Sequence, residues 1–71
     1  MTKIDVLGEI SYTRLKMRLA QYSGENEKAA MYDATIEKLI EEAKSLKIEF
    51  SEIESELLNA DEVAEMVHEN A

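Results

Sequence analysis

The sequence predicts an all-α protein: a helical hairpin or small three-helix bundle with a long heptad-patterned second helix, associating as a coiled-coil-like homodimer. Three observations predict it. The 71-residue chain has no Pro and only two Gly, at positions 8 and 24, and is rich in Ala, Leu, Glu and Lys, which are strong helix formers. Apolar residues recur in steps of three and four from Ala29 to Val67, the spacing of a helical stripe. The one clear breaker is the stretch YSGENE at 22–27.

The length allows a single domain, 1–71, and a chain of this size buries little core alone. It has no Cys, hence no disulfide and no thiolate ligand. No basic stretch leads into an apolar run near the N-terminus, and no apolar stretch approaches the length of a membrane span. The expectation is a cytoplasmic protein with no membrane contact.

The first helix is expected over about 9–22. Residues 3–13 admit two readings. Ile4, Val6, Ile10 and Tyr12 alternate as in short strands, and the same residues extend the helix toward the N-terminus. As one helix it is apolar on two sides. Ile4, Tyr12, Leu15, Leu19 and Tyr22 share one side, while Val6, Ile10 and Met17 lie on the other. A helix apolar on both sides is normally buried on both, which points to self-association.

A turn at 23–25 follows. Gly24 suits the position just past a helix end, and Ser23 or Asn26 suits the start of the next. The second helix is expected over about 26–58. Ala29, Tyr32, Ile36, Leu39, Ala43, Leu46, Phe50, Ile53, Leu57, Ala60, Ala64 and Val67 fill successive a and d sites of a heptad frame. Met31, Ile40, Ile48, Leu58 and Met66 widen the stripe, which suits a bundle better than a strict two-stranded coil. Ser51 and Glu54 form an S-x-x-E capping pattern, so a break near 48–51 is the rival to continuity. A bend or end is expected near 59–61, with a short last helix over about 61–69. The self-association seam is assigned to Leu15, Leu19, Tyr22, Tyr32, Ile36, Leu39, Leu46, Phe50, Ile53 and Leu57.

The formal net charge is −8, from 16 acidic and 8 basic residues. The distribution is uneven. Residues 1–22 carry +2 and residues 23–71 carry −10. Nucleic-acid binders show a basic patch or stripe. Only Arg14, Lys16 and Arg18 offer one here, so a direct nucleic-acid contact is the weaker alternative. The stretch SLKIEFSEIESELL at 45–58 has helix-turn-helix spacing, with Ala43, Lys47 and Ile53 at the signature places. Its would-be recognition helix carries Glu52, Glu54 and Glu56, which phosphate would repel.

Catalysis is not expected: the chain has no Cys, a single His near the C-terminus and no phosphate-binding loop. Glu65 and His68 have the E-x-x-H spacing of di-iron bundles, but further ligands are lacking, so no metal and no cofactor is assigned.

The acidic columns carry the functional expectation. Asp33, Glu37 and Glu41 form one, Glu52 and Glu56 a second, and Asp61, Glu65 and Glu69 a third. Like charges four apart cost about 0.2–0.5 kcal/mol per pair on a helix. Rows of carboxylate are tolerated on a solvated face, and they also suit docking on a basic surface. The chain resembles, as a type, small acidic all-helical inhibitors that imitate nucleic acid. The acidic columns point to a non-catalytic interaction protein that inhibits or recruits a partner protein with a basic surface, through Glu37, Glu41, Glu52 and Glu56. A purely structural assembly subunit is the alternative.

Overall fold

Thr2 starts the first helix. Its Oγ1 accepts from the Asp5 backbone N–H at 3.2 Å, and its own backbone N–H donates to Asp5 Oδ2 at 3.1 Å. This reciprocal cap satisfies two donors that a helix start leaves without partners. The Thr2 backbone N–H also holds the Asp5 carboxyl below the usual carboxylate range. The cap is therefore at full strength above that range and is lost as acid protonates Asp5. The computed structural model describes residues 1–70, which form three helices: α1 (Lys3–Tyr22), α2 (Asn26–Ser45) and α3 (Phe50–Glu69). The strand reading of residues 3–13 is thus corrected, and the helix expected from about residue 9 begins six residues earlier.

Both turns close in the same way. After α1, Gly24 takes φ 74°, its N–H bonds to Gln21 O at 3.1 Å, and Glu25 N–H reaches back to Ala20 O at 2.9 Å. After α2, Lys47 takes φ 60°, its N–H bonds to Lys44 O at 3.0 Å, and Ile48 N–H reaches Ala43 O at 3.0 Å. This is the Schellman closure, with the apolar contact that accompanies it: Ile48 and Ala43 are both buried in one cluster.

The long helix expected over 26–58 is therefore two helices. A lysine in the left-handed region replaces the glycine that would have signalled the turn, and burial of Ile48 offsets its strain. Ser51 lies inside the first turn of α3 and its capping pattern with Glu54 does not form, because the cap position is Glu49. Likewise α2 starts after Glu25, without a side-chain cap from Ser23 or Asn26. The bend expected at 59–61 is absent. Ala60 is buried there and Asp61 is ion-paired, and α3 is continuous through these residues.

α1 is the shared packing surface. Val6, Ile10, Thr13, Met17 and Ala20, spaced four, three, four and three apart, form its buried side. At its N-terminal half Val6 and Ile10 pack with Leu39, Ala43, Ile48 and Ile53. At its C-terminal half Met17 and Ala20 pack with Ala29 and Ile36. So α2 runs antiparallel to α1 and α3 runs parallel to it. α2 and α3 barely touch each other, and Ile40 and Leu57 join the two clusters from those helices. Ala43, Ala60 and Ala64 are buried small residues, which bring the helix axes close at the cost of core volume.

Two stability outcomes follow from these contacts. Lys47→Gly removes the left-handed strain and is expected to stabilise the fold by about 1 kcal/mol, read as a rise in melting temperature. Ile10→Ala, at a fully buried site, is expected to cost about 2–5 kcal/mol, which denaturant titration will register as loss of most of the cooperative transition.

Candidate interaction site

The cations of α1 are largely committed within the chain. Arg14 holds Asp61 of α3 through two bonds, Nε to Oδ1 at 2.6 Å and Nη2 to Oδ2 at 3.0 Å. The pair is partly buried: the hydrogen bond to Asp61 raises the guanidinium pKa, burial works against it, and the charges of Asp61 and Asp33 add to the rise. Arg18 Nε lies 3.6 Å from the same carboxylate. Its two Nη atoms donate to Gln21 Oε1 at 3.0 Å and to the Tyr22 hydroxyl at 3.3 Å. The Tyr22 ring in turn stacks on His68, with centroids 4.1 Å apart. Lys16 Nζ sits over the Tyr12 ring at 4.4 Å and near Tyr32 at 5.1 Å. Lys3 Nζ pairs with Glu52 at 3.0 Å. These contacts tie α3 and α2 to α1 and engage Arg14, Lys16 and Arg18 within the chain.

The carboxylates are mostly outward and unpaired. Among the described residues, ion pairs engage Glu52 and Asp61, out of 16 acidic side chains. Arg14 lies between two acids: it binds Asp61 of α3 and, with Asp33 of α2, lines a cleft of about 350 Å³ between α1 and α2, together with Met17, Arg18, Gln21 and Ala30. Each four-residue step turns only about 40° around a helix. Hence Asp33, Glu37 and Glu41 continue along α2 from one side of Arg14, and Glu54, Asp61 and Glu65 along α3 from the other, and the space between these two rows is a furrow over Arg14. All but Asp61 are exposed, and Leu58 is an exposed apolar residue on the same side of α3.

The four residues expected at the partner face divide into two pairs. Glu37 and Glu41 are exposed on the furrow side of α2. Glu52 and Glu56 are half-buried and line a separate groove with Lys3, Leu7, Ser51 and Ser55. Glu52 and Glu54 lie about 160° apart on α3, so one helix presents acids to two surfaces. Pairing of α2 with α3 across Arg14 adds Glu54 and Glu65 to the furrow side, an arrangement that steps of four along one helix do not show.

The seam residues also divide. Ile36, Leu39 and Ile53 are buried in the chain's own core, with Tyr32 and Leu57 packed against it. Leu15 and Leu19 are half-buried, and Tyr22 faces His68, while Leu46 and Phe50 are exposed. Among the described residues no group of three His, Asp or Glu side chains converges as a metal site. No helix is long and apolar enough to cross a membrane.

Asp61→Asn weakens the bond that fastens the middle of α3 to α1. The expected cost is about 1–3 kcal/mol in chemical denaturation, against less than about 0.5 kcal/mol for Glu37→Gln on the exposed furrow side. Equal effects at both positions would show that the Arg14–Asp61 pair contributes nothing special. Comparison with family models, with curated proteins and with solved structures gives no match.

Proposed function

We propose that this chain is a non-catalytic cytoplasmic interaction protein that docks an acidic helical face on a basic surface of a partner protein, and so inhibits or recruits it in the manner of a nucleic-acid mimic. One observation carries the reading. Arg14 and Arg18 are neutralised within the chain by Asp61, while Asp33, Glu37, Glu41, Glu54 and Glu65 are left facing water, with exposed Lys44 on the same side of α2. Asp33, Glu37 and Glu41 on one edge run antiparallel to Glu54, Asp61 and Glu65 on the other.

The charge density sets what such a face can do. At about 1.5 Å per residue, Asp33, Glu37 and Glu41 span about 12 Å and Glu54 and Glu65 about 16 Å, so these five give about one charge per 3 Å. Duplex DNA carries about one per 1.7 Å. The face therefore has about half the linear charge of DNA, over a length of about 16 Å. That supports steered, salt-sensitive association with a surface already shaped for phosphate. Exposed Leu58 adds an apolar contact that phosphate backbone lacks. A structural assembly role rests on a different surface, the outer side of α1.

The immobilised chain is expected to retain a basic host protein that duplex DNA displaces in competition. The double variant Glu37→Lys, Glu41→Lys is expected to lower that capture at least tenfold, with helicity by circular dichroism unchanged. Glu52→Lys with Glu56→Lys is expected to do less, because those side chains line the other groove. Undiminished capture by the α2 variant, with the same salt dependence, would overturn the acidic-face reading.

A further inference from the structure

We infer that two copies of this chain pair through the outer side of α1, antiparallel about a two-fold axis near Ser11 and Tyr12. The inner side of α1 is used up by α2 and α3. The outer side carries Ile4, Tyr12, Leu15 and Leu19, with Gly8 in their midst. Ile4 is 82% exposed and Tyr12 58%. A β-carbon at Gly8 would meet nothing within 4 Å in its own chain. Glycine inside an exposed helix costs about 1 kcal/mol relative to Ala, and nothing within the single chain calls for it.

Antiparallel pairing gives Gly8 a role. Ile4 then faces Leu19 of the second copy, and Gly8 faces its Leu15, so the smallest side of one helix receives a large side chain of the other. Parallel pairing sets Gly8 on Gly8 and Tyr12 on Tyr12, leaving a gap beside a clash.

The charge pattern along α1 points to a second copy of this chain as the occupant. Residues 23–71 carry −10, so contact between those segments of two copies is strongly opposed. Residues 1–22 carry only +2, and three of their four cations, Lys3, Arg14 and Arg18, lie against Glu52 or Asp61 of their own chain, so α1 against α1 is the pairing of like segments with the least net repulsion. Asp5, Glu9 and Lys16 lie on one flank of α1. In an antiparallel two-fold pair, like flanks meet. Lys16 of each copy then falls between the levels of Asp5 and Glu9 of the other, so acid meets base on both halves of the interface.

The pairing uses no residue of the α2–α3 furrow and stands apart from the acidic-face reading. A patch one helix long is small for a specific interface, so dissociation is expected in the micromolar range. Sedimentation of the full chain from about 5 to about 500 µM is expected to reveal a species of twice the 8.1 kDa chain mass. Ile4→Lys is expected to abolish it. Gly8→Leu is expected to weaken it at least tenfold while helicity is kept or raised, since the single chain has open space there. Orientation is read by single cysteines, which are clean probes because the native chain has none. Tyr12→Cys, near the axis, is expected to oxidise to a covalent dimer. Ile4→Cys is not, because the antiparallel register separates its two copies by about 22 Å. A monomer throughout the range, a dimer indifferent to Ile4→Lys and Gly8→Leu, or efficient cross-linking through Ile4→Cys would each overturn the proposal.

Discussion

One constraint organises the molecule: α1 must supply the packing surface for both other helices, because α2 and α3 barely touch each other. In a closed three-helix bundle each helix shares the burden of covering the other two. Here the stripe Val6, Ile10, Thr13, Met17 and Ala20 carries it almost alone. The most deeply buried large side chains, Ile10, Val6 and Ile53, lie together near the N-terminal half of α1. Toward the other end the core thins to Met17, Ile36 and alanines, and polar contacts are added. Arg14 with Asp61, and Arg18 with Tyr22 stacked on His68, fasten α3 where apolar area is scarce. The cleft at the Gly24 end lies where this replacement occurs.

That division of labour also accounts for the surface. A chain with 8 cations and 16 acids engages its α1 cations within itself, against Asp61, Glu52, Tyr12 and Tyr32. Each cation drawn into a packing contact leaves carboxylates elsewhere without a partner. Stability and surface charge are thus linked: the bonds that hold an open bundle shut are the same ones that leave the furrow edges acidic. The energetic cost of those rows is small, since exposed like-charge pairs are screened at physiological salt.

The all-helical class was legible from composition and periodicity, and the turn at Gly24 from its residue. The second turn was legible only as the rival break near 48–51, suggested by the Ser51–Glu54 pattern and by the helix-turn-helix spacing that placed Lys47 at the turn. No Gly or Pro marks it, and Leu46, Phe50 and Ile53 continue the heptad frame across it. The fold departs from that frame at the turn: Leu46 and Phe50 are exposed, while Ile48, outside the frame, is buried with Ile53, so two helices share what reads as one stripe. The start of α1 was signalled by Thr2 and Asp5, a capping pattern obscured by the strand-like alternation of Ile4 and Val6. Which side of α1 would be inside was not legible, because both are apolar and only the tertiary partners choose. The acidic columns of α2 and α3 were visible one helix at a time. That Asp33 and Asp61 border the same opening, while Glu52 turns to Lys3, depends on how α3 sits on α1, which no local pattern encodes.

The two surfaces of this molecule lie on opposite sides, and that has a consequence for how they would act together. The outer side of α1 points away from α2 and α3, whereas the acidic furrow runs between those two helices. Pairing through α1 therefore leaves both furrows open, facing away from the two-fold axis. A dimer of this kind presents two acidic faces at a fixed separation, with no flexible linker between them. A partner with a single basic patch gains only a statistical advantage from such a body. A partner that is itself dimeric, or that carries a repeated basic surface, gains effective concentration for the second contact without any new interaction. Geometry decides which applies, since avidity vanishes when both contacts cannot be made at once. The spacing of basic surfaces on the partner, more than the strength of any one acidic contact, would then set selectivity.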